Sequence, residues 1–97
     1  MKVEWSEKAA ERALEILTYL EENHSVRTAQ KFHLCLWEAV SKAGRYPTTG
    51  NPSLKVADVR ALKIDKYRKL FYKVNSPVDI IIIDIFDMRQ DPKKLGY

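Results

Sequence analysis

The chain has one cysteine among its 97 residues, Cys35. A single thiol cannot build an intramolecular disulfide framework, so the fold must rest on a hydrophobic core. Cys35 lies inside an apolar helical pattern and reads as a small hydrophobe rather than a reactive thiol. The three glycines, Gly44, Gly50 and Gly96, are scattered, which leaves no phosphate-cradling loop. His24 and His33 stand nine residues apart with no cysteine or acid at ligand spacing, so neither a metal site nor a cofactor is expected. The longest aliphatic run, Ile80–Ile83, is far short of the ~18–20 residues that span a bilayer. The opening MKVEWSEKAAER has no apolar stretch of the kind a signal peptide needs. Together these absences predict a protein of the reducing cytoplasm with no membrane partner. Serines and threonines fall at caps and loops, and no nucleophile stands beside a base. Residues 59–97 contain neither histidine nor glutamate.

What the chain does have is 45% hydrophobic residues, enough for one core, and a length that suits one domain over 1–97. Its net charge of +4 is unevenly placed. Residues 1–58 carry eight bases and eight acids, whereas residues 59–97 carry nine bases and five acids. The excess lies on a stretch that reads as strands, with Arg60, Lys63, Lys66, Arg68, Lys69 and Lys73 against the single acid Asp65. Strands need apolar residues on at least one face. The cations must therefore crowd onto the other face or the turn, giving a positive surface on a rigid support that suits an anionic partner.

Periodicity sets the element order. Lys2–Trp5 alternates polar and apolar and reads as a short strand. Ser6 offers an N-cap, and Ala10, Ala13, Leu14, Leu17 and Leu20 recur at helical spacing to about Asn23. After a break at Asn23-His24, Ser25 can cap a second helix, with Ala29, Phe32, Leu36, Ala39, Val40 and Ala43 on one face and Gly44 as its C′ residue. The short break predicts an antiparallel hairpin. Arg45–Pro52 is a loop by its prolines and glycine. Val59–Ile64 and Arg68–Val74 read as strands around the turn Asp65-Lys66-Tyr67, with Leu70, Tyr72 and Val74 on the core side. After a turn at Asn75–Asp79, Ile80–Phe86 is apolar enough for a strand covered on both faces, with Asp84 in need of a partner or an edge. The result is an α+β fold in the order β-αα-βββ, an N-terminal strand and an antiparallel helix hairpin on a small antiparallel sheet. Residues 92–97, with one leucine and one tyrosine, are expected to be poorly fixed without a partner.

Two chemistries fit the cations. Metal-free RNA cleavage needs a base for the 2′-hydroxyl, cations for the phosphorane and a donor to the leaving oxygen. Lys63, Lys69 and Arg89 could supply the cations, but a lysine of lowered pKa or Asp87 would have to act as base. The other is binding alone, to an acidic or nucleic-acid-bearing target. A merely solvated face remains the plain alternative.

The segments VEWSEKAAERALEILTYL, TAQKFHLCLWEAVSKAGRYPTTGNP, VRALKIDKYRKLFYKV and IIIIDIFDMRQDP, in this order and spacing, resemble the RelE/ParE superfamily of bacterial type II toxins, also called plasmid stabilisation proteins. The resemblance implies the same β-αα-βββ fold and a cognate antitoxin whose C-terminal segment wraps the toxin, so that the two form an oligomer. Relatives like RelE cleave mRNA on the ribosome with strand lysines and arginines, an arginine after the last strand and a C-terminal aromatic. Arg60 or Lys63, Lys69 and Arg89 match the first two elements. The aromatic position falls on Leu95, with Tyr97 two residues on, and the histidine that many such relatives carry near Asp87 is missing. Relatives like ParE poison DNA gyrase without a nuclease site, and the second helix with its loop looks more like that branch. The resemblance therefore implies a growth-inhibiting toxin acting on gyrase. Arg60, Lys66, Arg68, Lys69, Lys73 and Arg89 would contact target or antitoxin. The alternatives are a ribosome-dependent mRNA endonuclease using Arg60, Lys63, Lys69 and Arg89, or a non-toxic binding module.

Overall fold

The computed structural model describes residues 2–88. The elements are β1 (Lys2–Trp5), α1 (Glu7–Asn23), α2 (Val26–Arg45), β2 (Asn51–Pro52), β3 (Val59–Lys63), β4 (Arg68–Ser76) and β5 (Asp79–Asp87). They form one helix hairpin on one five-stranded sheet in the order β1-β5-β4-β3-β2. This is the expected α+β architecture with two additions. β1 lies parallel to β5, which makes the sheet mixed, and the two-residue strand β2 extends the far edge from what reads as loop. Pro52 can occupy that edge because an edge strand needs no donor on its outer side.

Local chemistry sets the helix ends. The Ser6 hydroxyl accepts from Ala9 N at 3.0 Å, capping α1, and donates to the Ile83 carbonyl at 2.8 Å, which ties that cap to β5. The Ser25 hydroxyl accepts from Thr28 N and starts α2 two residues after α1 ends. At the other end of α2, Gly44 is not the C′ residue. The helix runs on through Arg45 and closes when Tyr46 N donates to the Lys42 carbonyl. Tyr46 has φ −130, a conformation open to any residue, so no left-handed glycine is required.

The core forms where both helices meet one sheet face. Phe32, Leu36 and Val40 of α2 and Leu20 of α1 pack against Leu70 and Tyr72 of β4 and Ile80, Ile82 and Ile85 of β5. Cys35 is half-buried and packs against this cluster. On the opposite sheet face Val59, Phe71 and Phe86 form a smaller buried cluster with Val56, Ala61 and Ile83. That second cluster is why β5 is apolar almost throughout. Val74, expected on the core side, stands opposite the buried Ile80 in the ladder yet is itself exposed, near the end of β4 where the pairing slips before Ser76.

A second slip, between Phe71 and Tyr72, gives β5 one residue more than β4 at that point. There Asp84 is fully buried, and its Oδ1 accepts from Ile85 N at 2.8 Å. Its Oδ2 lies 3.4 Å from Lys8 Nζ of α1, and Arg12 Nε is 3.9 Å from Oδ1. The partner that Asp84 needs is thus the first turns of α1.

A candidate target-binding face on β3 and β4

Strand alternation sorts the cations. Leu62, Leu70 and Tyr72 face the helices, so Lys63, Lys69 and Lys73 project from the opposite face with Val59, Ala61 and Phe71. Lys63 and Lys69 are direct cross-strand partners. Like charges directly opposite one another on a sheet cost roughly 0.2–1 kcal/mol. The chain therefore holds two ammonium groups against their mutual repulsion on a rigid two-strand support, with the exposed Lys73 further along β4.

The other sequence-expected cations lie elsewhere. Arg60 is on the helix side, opposite Tyr72, and its Nη1 donates to the carbonyls of Gly50 at 2.8 Å and Thr48 at 3.3 Å. Its guanidinium pins the α2–β2 loop. Arg68 is 8% exposed; its Nη1 donates to Asp65 Oδ2 at 3.2 Å and its guanidinium carbon sits 5.2 Å from the Phe32 ring centroid. Asp65 in turn accepts from Tyr67 N and Arg68 N through Oδ1, closing the β3–β4 turn. Lys66 stands in that turn, exposed, 5.6 Å from the centre of the Tyr67 ring. Arg89, Leu95 and Tyr97 lie outside the described residues, as do residues 92–97 as a whole.

Arg68 also lines a cleft of about 370 Å³ between α1 and the β4–β5 end, together with Arg12, Glu15, Tyr19, Ile85 and Asp87. Arg68 Nε makes no hydrogen bond there. Asp87 is the ladder partner of Arg68 and shares the helix side with Ile85. The sheet therefore separates Asp87 from Lys63, Lys69 and Lys73. Arg12 and its place in this cleft are not legible from the basic strands, since Arg12 belongs to a helix 50 residues earlier. The only hint is Asp84, a buried acid whose partner had to come from another element.

An N-terminal strand, a helix hairpin and four further strands, with a lysine row on the sheet face away from the helices, make a RelE/ParE-like fold. The sequence profile of the ParE toxin of type II toxin-antitoxin systems, parDE, matches residues 3–92, and the chain belongs to that family. Among solved structures, the chromosomal ParDE system of P. aeruginosa is similar with a TM-score of 0.75 at 21% identity, over 90% of this chain and 95% of that one. A YoeB/ParE toxin from Agrobacterium tumefaciens is similar with a TM-score of 0.64 at 14% identity, over 90% and 98%. The YoeB dimer from Staphylococcus aureus is similar with a TM-score of 0.59 at 18% identity, over 87% and 92%. At these identities the structures speak to the fold. No curated protein sequence matches the chain. No helix among the described residues is long and apolar enough to cross a membrane.

Proposed function

We propose that this chain arrests growth in the cytoplasm by acting on DNA gyrase, and that a cognate antitoxin neutralises it by covering its sheet and hairpin surface. The observation that carries the reading is the separation of charge types across the sheet. Lys63, Lys69 and Lys73 share one face, the acid that could serve as base, Asp87, belongs to the other, and residues 59–97 hold no histidine or glutamate. A face with cations and no proton acceptor suits docking better than transesterification of RNA. Arg60 and Arg68 support the same surface indirectly, the first through the α2–β2 loop and the second through the β3–β4 turn.

One observation favours the second reading, ribosome-dependent mRNA cleavage. The cleft beside α1 places Arg68 and Arg12 near Asp87, a combination of cations and a carboxylate that a metal-free nuclease could use. The two readings part in one experiment with purified protein. On the gyrase reading it blocks negative supercoiling of a relaxed plasmid by gyrase and leaves ribosome-bound mRNA intact. A Lys63→Ala/Lys69→Ala/Lys73→Ala variant, folded by circular dichroism, loses that block at least tenfold. Cleavage of mRNA on ribosomes with gyrase unaffected overturns the proposal in favour of the nuclease. Inactivity in both assays, with unchanged growth when the lone chain is induced, overturns it in favour of a non-toxic module.

A further inference from the structure

Where α2 passes the β3–β4 turn, the chain encloses a pocket of about 260 Å³ on the helix side of the sheet. The buried Leu20 and Phe32 and the ring of Tyr67 give it apolar walls. Three cations, Lys31, Lys66 and Arg68, line it against one acid, Asp65. Asp65 is engaged by Arg68, so the two lysines leave a net charge of about +2 at the pocket. Both are exposed, and neither joins an ion pair among the described residues. The cleft beside α1 differs, because Glu15 and Asp87 there match Arg12 and Arg68 in number.

The pocket also has a polar need of its own. Arg68 Nη1 is held by Asp65 and the guanidinium lies over Phe32, but the buried Nε has no acceptor. A buried donor left unmet is costly, so this wall favours a ligand that brings acceptor oxygens. At the rim, Lys66 Nζ stands 5.6 Å from the centre of the Tyr67 ring, which sets a positive charge beside an aromatic surface.

We propose that this pocket binds a mononucleotide, with its phosphate monoester held by Lys31 and Lys66 and its base against Tyr67 and the apolar wall. A phosphate monoester carries about −1.5 to −2 charges at neutral pH, which matches the surplus of two lysines. A single carboxylate would leave one lysine unbalanced. Lysine meets phosphate as a point charge, without the fixed geometry that an arginine fork demands. An aromatic side chain accepts the flat face of any base, so the stacking asks only for a π surface. The volume lies just below the roughly 300–1,000 Å³ of small-ligand sites, room for a base with part of its ribose but not for a strand or helix of a partner. The site is independent of the gyrase reading, since Lys63, Lys69 and Lys73 project from the opposite sheet face.

Cys35 is half-buried, lines this pocket and is the one thiol of the chain, so its alkylation reports on occupancy. In the full chain, adenosine 5′-monophosphate in millimolar excess is expected to slow iodoacetamide at Cys35 by at least about fivefold, and adenosine or inorganic phosphate by less than about twofold. Lys31→Glu/Lys66→Glu should lose the protection, whereas Lys42→Glu/Lys55→Glu, equal in net charge, should keep it. Circular dichroism confirms that both are folded, and Lys31→Gln/Lys66→Gln takes the place of the first pair if reversal disturbs the fold. Unprotected Cys35 in the parent overturns the proposal. So does adenosine protecting as well as its monophosphate, which would make the site merely apolar, or phosphate doing so, which would make it a bare anion site. Protection that survives loss of Lys31 and Lys66, or that falls equally when Lys42 and Lys55 are replaced, overturns it too.

Discussion

Replacing Tyr72 with Phe removes one oxygen from the centre of the fold, and the structure sets how much that oxygen contributes. Tyr72 is fully buried, and its Oη accepts from Gly50 N at 3.0 Å and donates to the Pro47 carbonyl at 2.7 Å. Both partners belong to the loop after α2, 22 and 25 residues away in the chain. Without the hydroxyl, the Gly50 amide is left buried with no acceptor, which costs about 1–3 kcal/mol, whereas the half-buried Pro47 carbonyl can regain water. The expected loss is about 2–3 kcal/mol, out of a total of about 5–15 kcal/mol for a chain of this size. It should lower Tm by about 8–24 °C. Urea unfolding checks it, with the midpoint falling and the slope unchanged. The same site forbids a side chain at Gly50, where a Cβ would lie 2.9 Å from the Ala61 carbonyl oxygen and 2.9 Å from Tyr72 Oη. Gly50→Ala should therefore destabilise the parent, and destabilise Tyr72→Phe less, with a coupling above about 0.5 kcal/mol. A Tyr72→Phe variant within about 0.5 kcal/mol of the parent would refute the reasoning.

Lys69→Glu should stabilise the protein by about 0.2–1 kcal/mol, since it turns the Lys63–Lys69 repulsion into attraction, while weakening inhibition of the target; a variant that is less stable by urea melt counts against the repulsion. Asp84→Ala should cost about 2–4 kcal/mol by removing a buried acceptor and the anion facing Lys8 and Arg12. That figure lies below a fully buried pair because Lys8 is 41% exposed and can return to water, and a cost under about 1 kcal/mol by chemical denaturation would argue that water already serves the site. Ser6→Ala removes the α1 cap and the bond to Ile83 together and should cost about 1–2 kcal/mol, more than Ser25→Ala, whose hydroxyl caps an exposed helix start; equal costs for the two in parallel melts would deny the Ser6–β5 link its contribution.

Most of the architecture was legible in the sequence because it depends on interactions a few residues long. Ser6 and Ser25 cap helices through donors three residues on, and the apolar spacing from Ala29 to Ala43 needs only the helical repeat. On α1 the same count puts Ala10 and Leu14 on the buried face, although both are exposed and Ala9 and Ile16 pack in the core instead. The alternation around Leu70 and Tyr72 likewise needs only the strand repeat. Even the separation of Arg60 from Lys69 to opposite faces follows from that count. The hidden parts depend on pairs far apart in the chain. β2 is a strand only because Asn51 and Pro52 find Ala61 and Arg60 across the sheet, and its two residues have no periodicity to show. Val74 keeps the strand repeat, opposite the buried Ile80, yet is exposed, because burial depends on what packs over a residue and not only on the face it occupies.

By itself, then, the sequence determined an α+β chain whose net positive charge falls on its strands, and which of those cations share a face. Tertiary structure alone decided which of them remain for a partner. Arg60 and Arg68 are spent on the Gly50 carbonyl and on Asp65, because the loop and the turn that hold those acceptors fold back onto their strands. Lys63, Lys69 and Lys73 point away from the hairpin and meet no such acceptor among the described residues. The physical reason is that charge is a property of the residue, whereas its availability depends on what chain packing places within hydrogen-bonding reach.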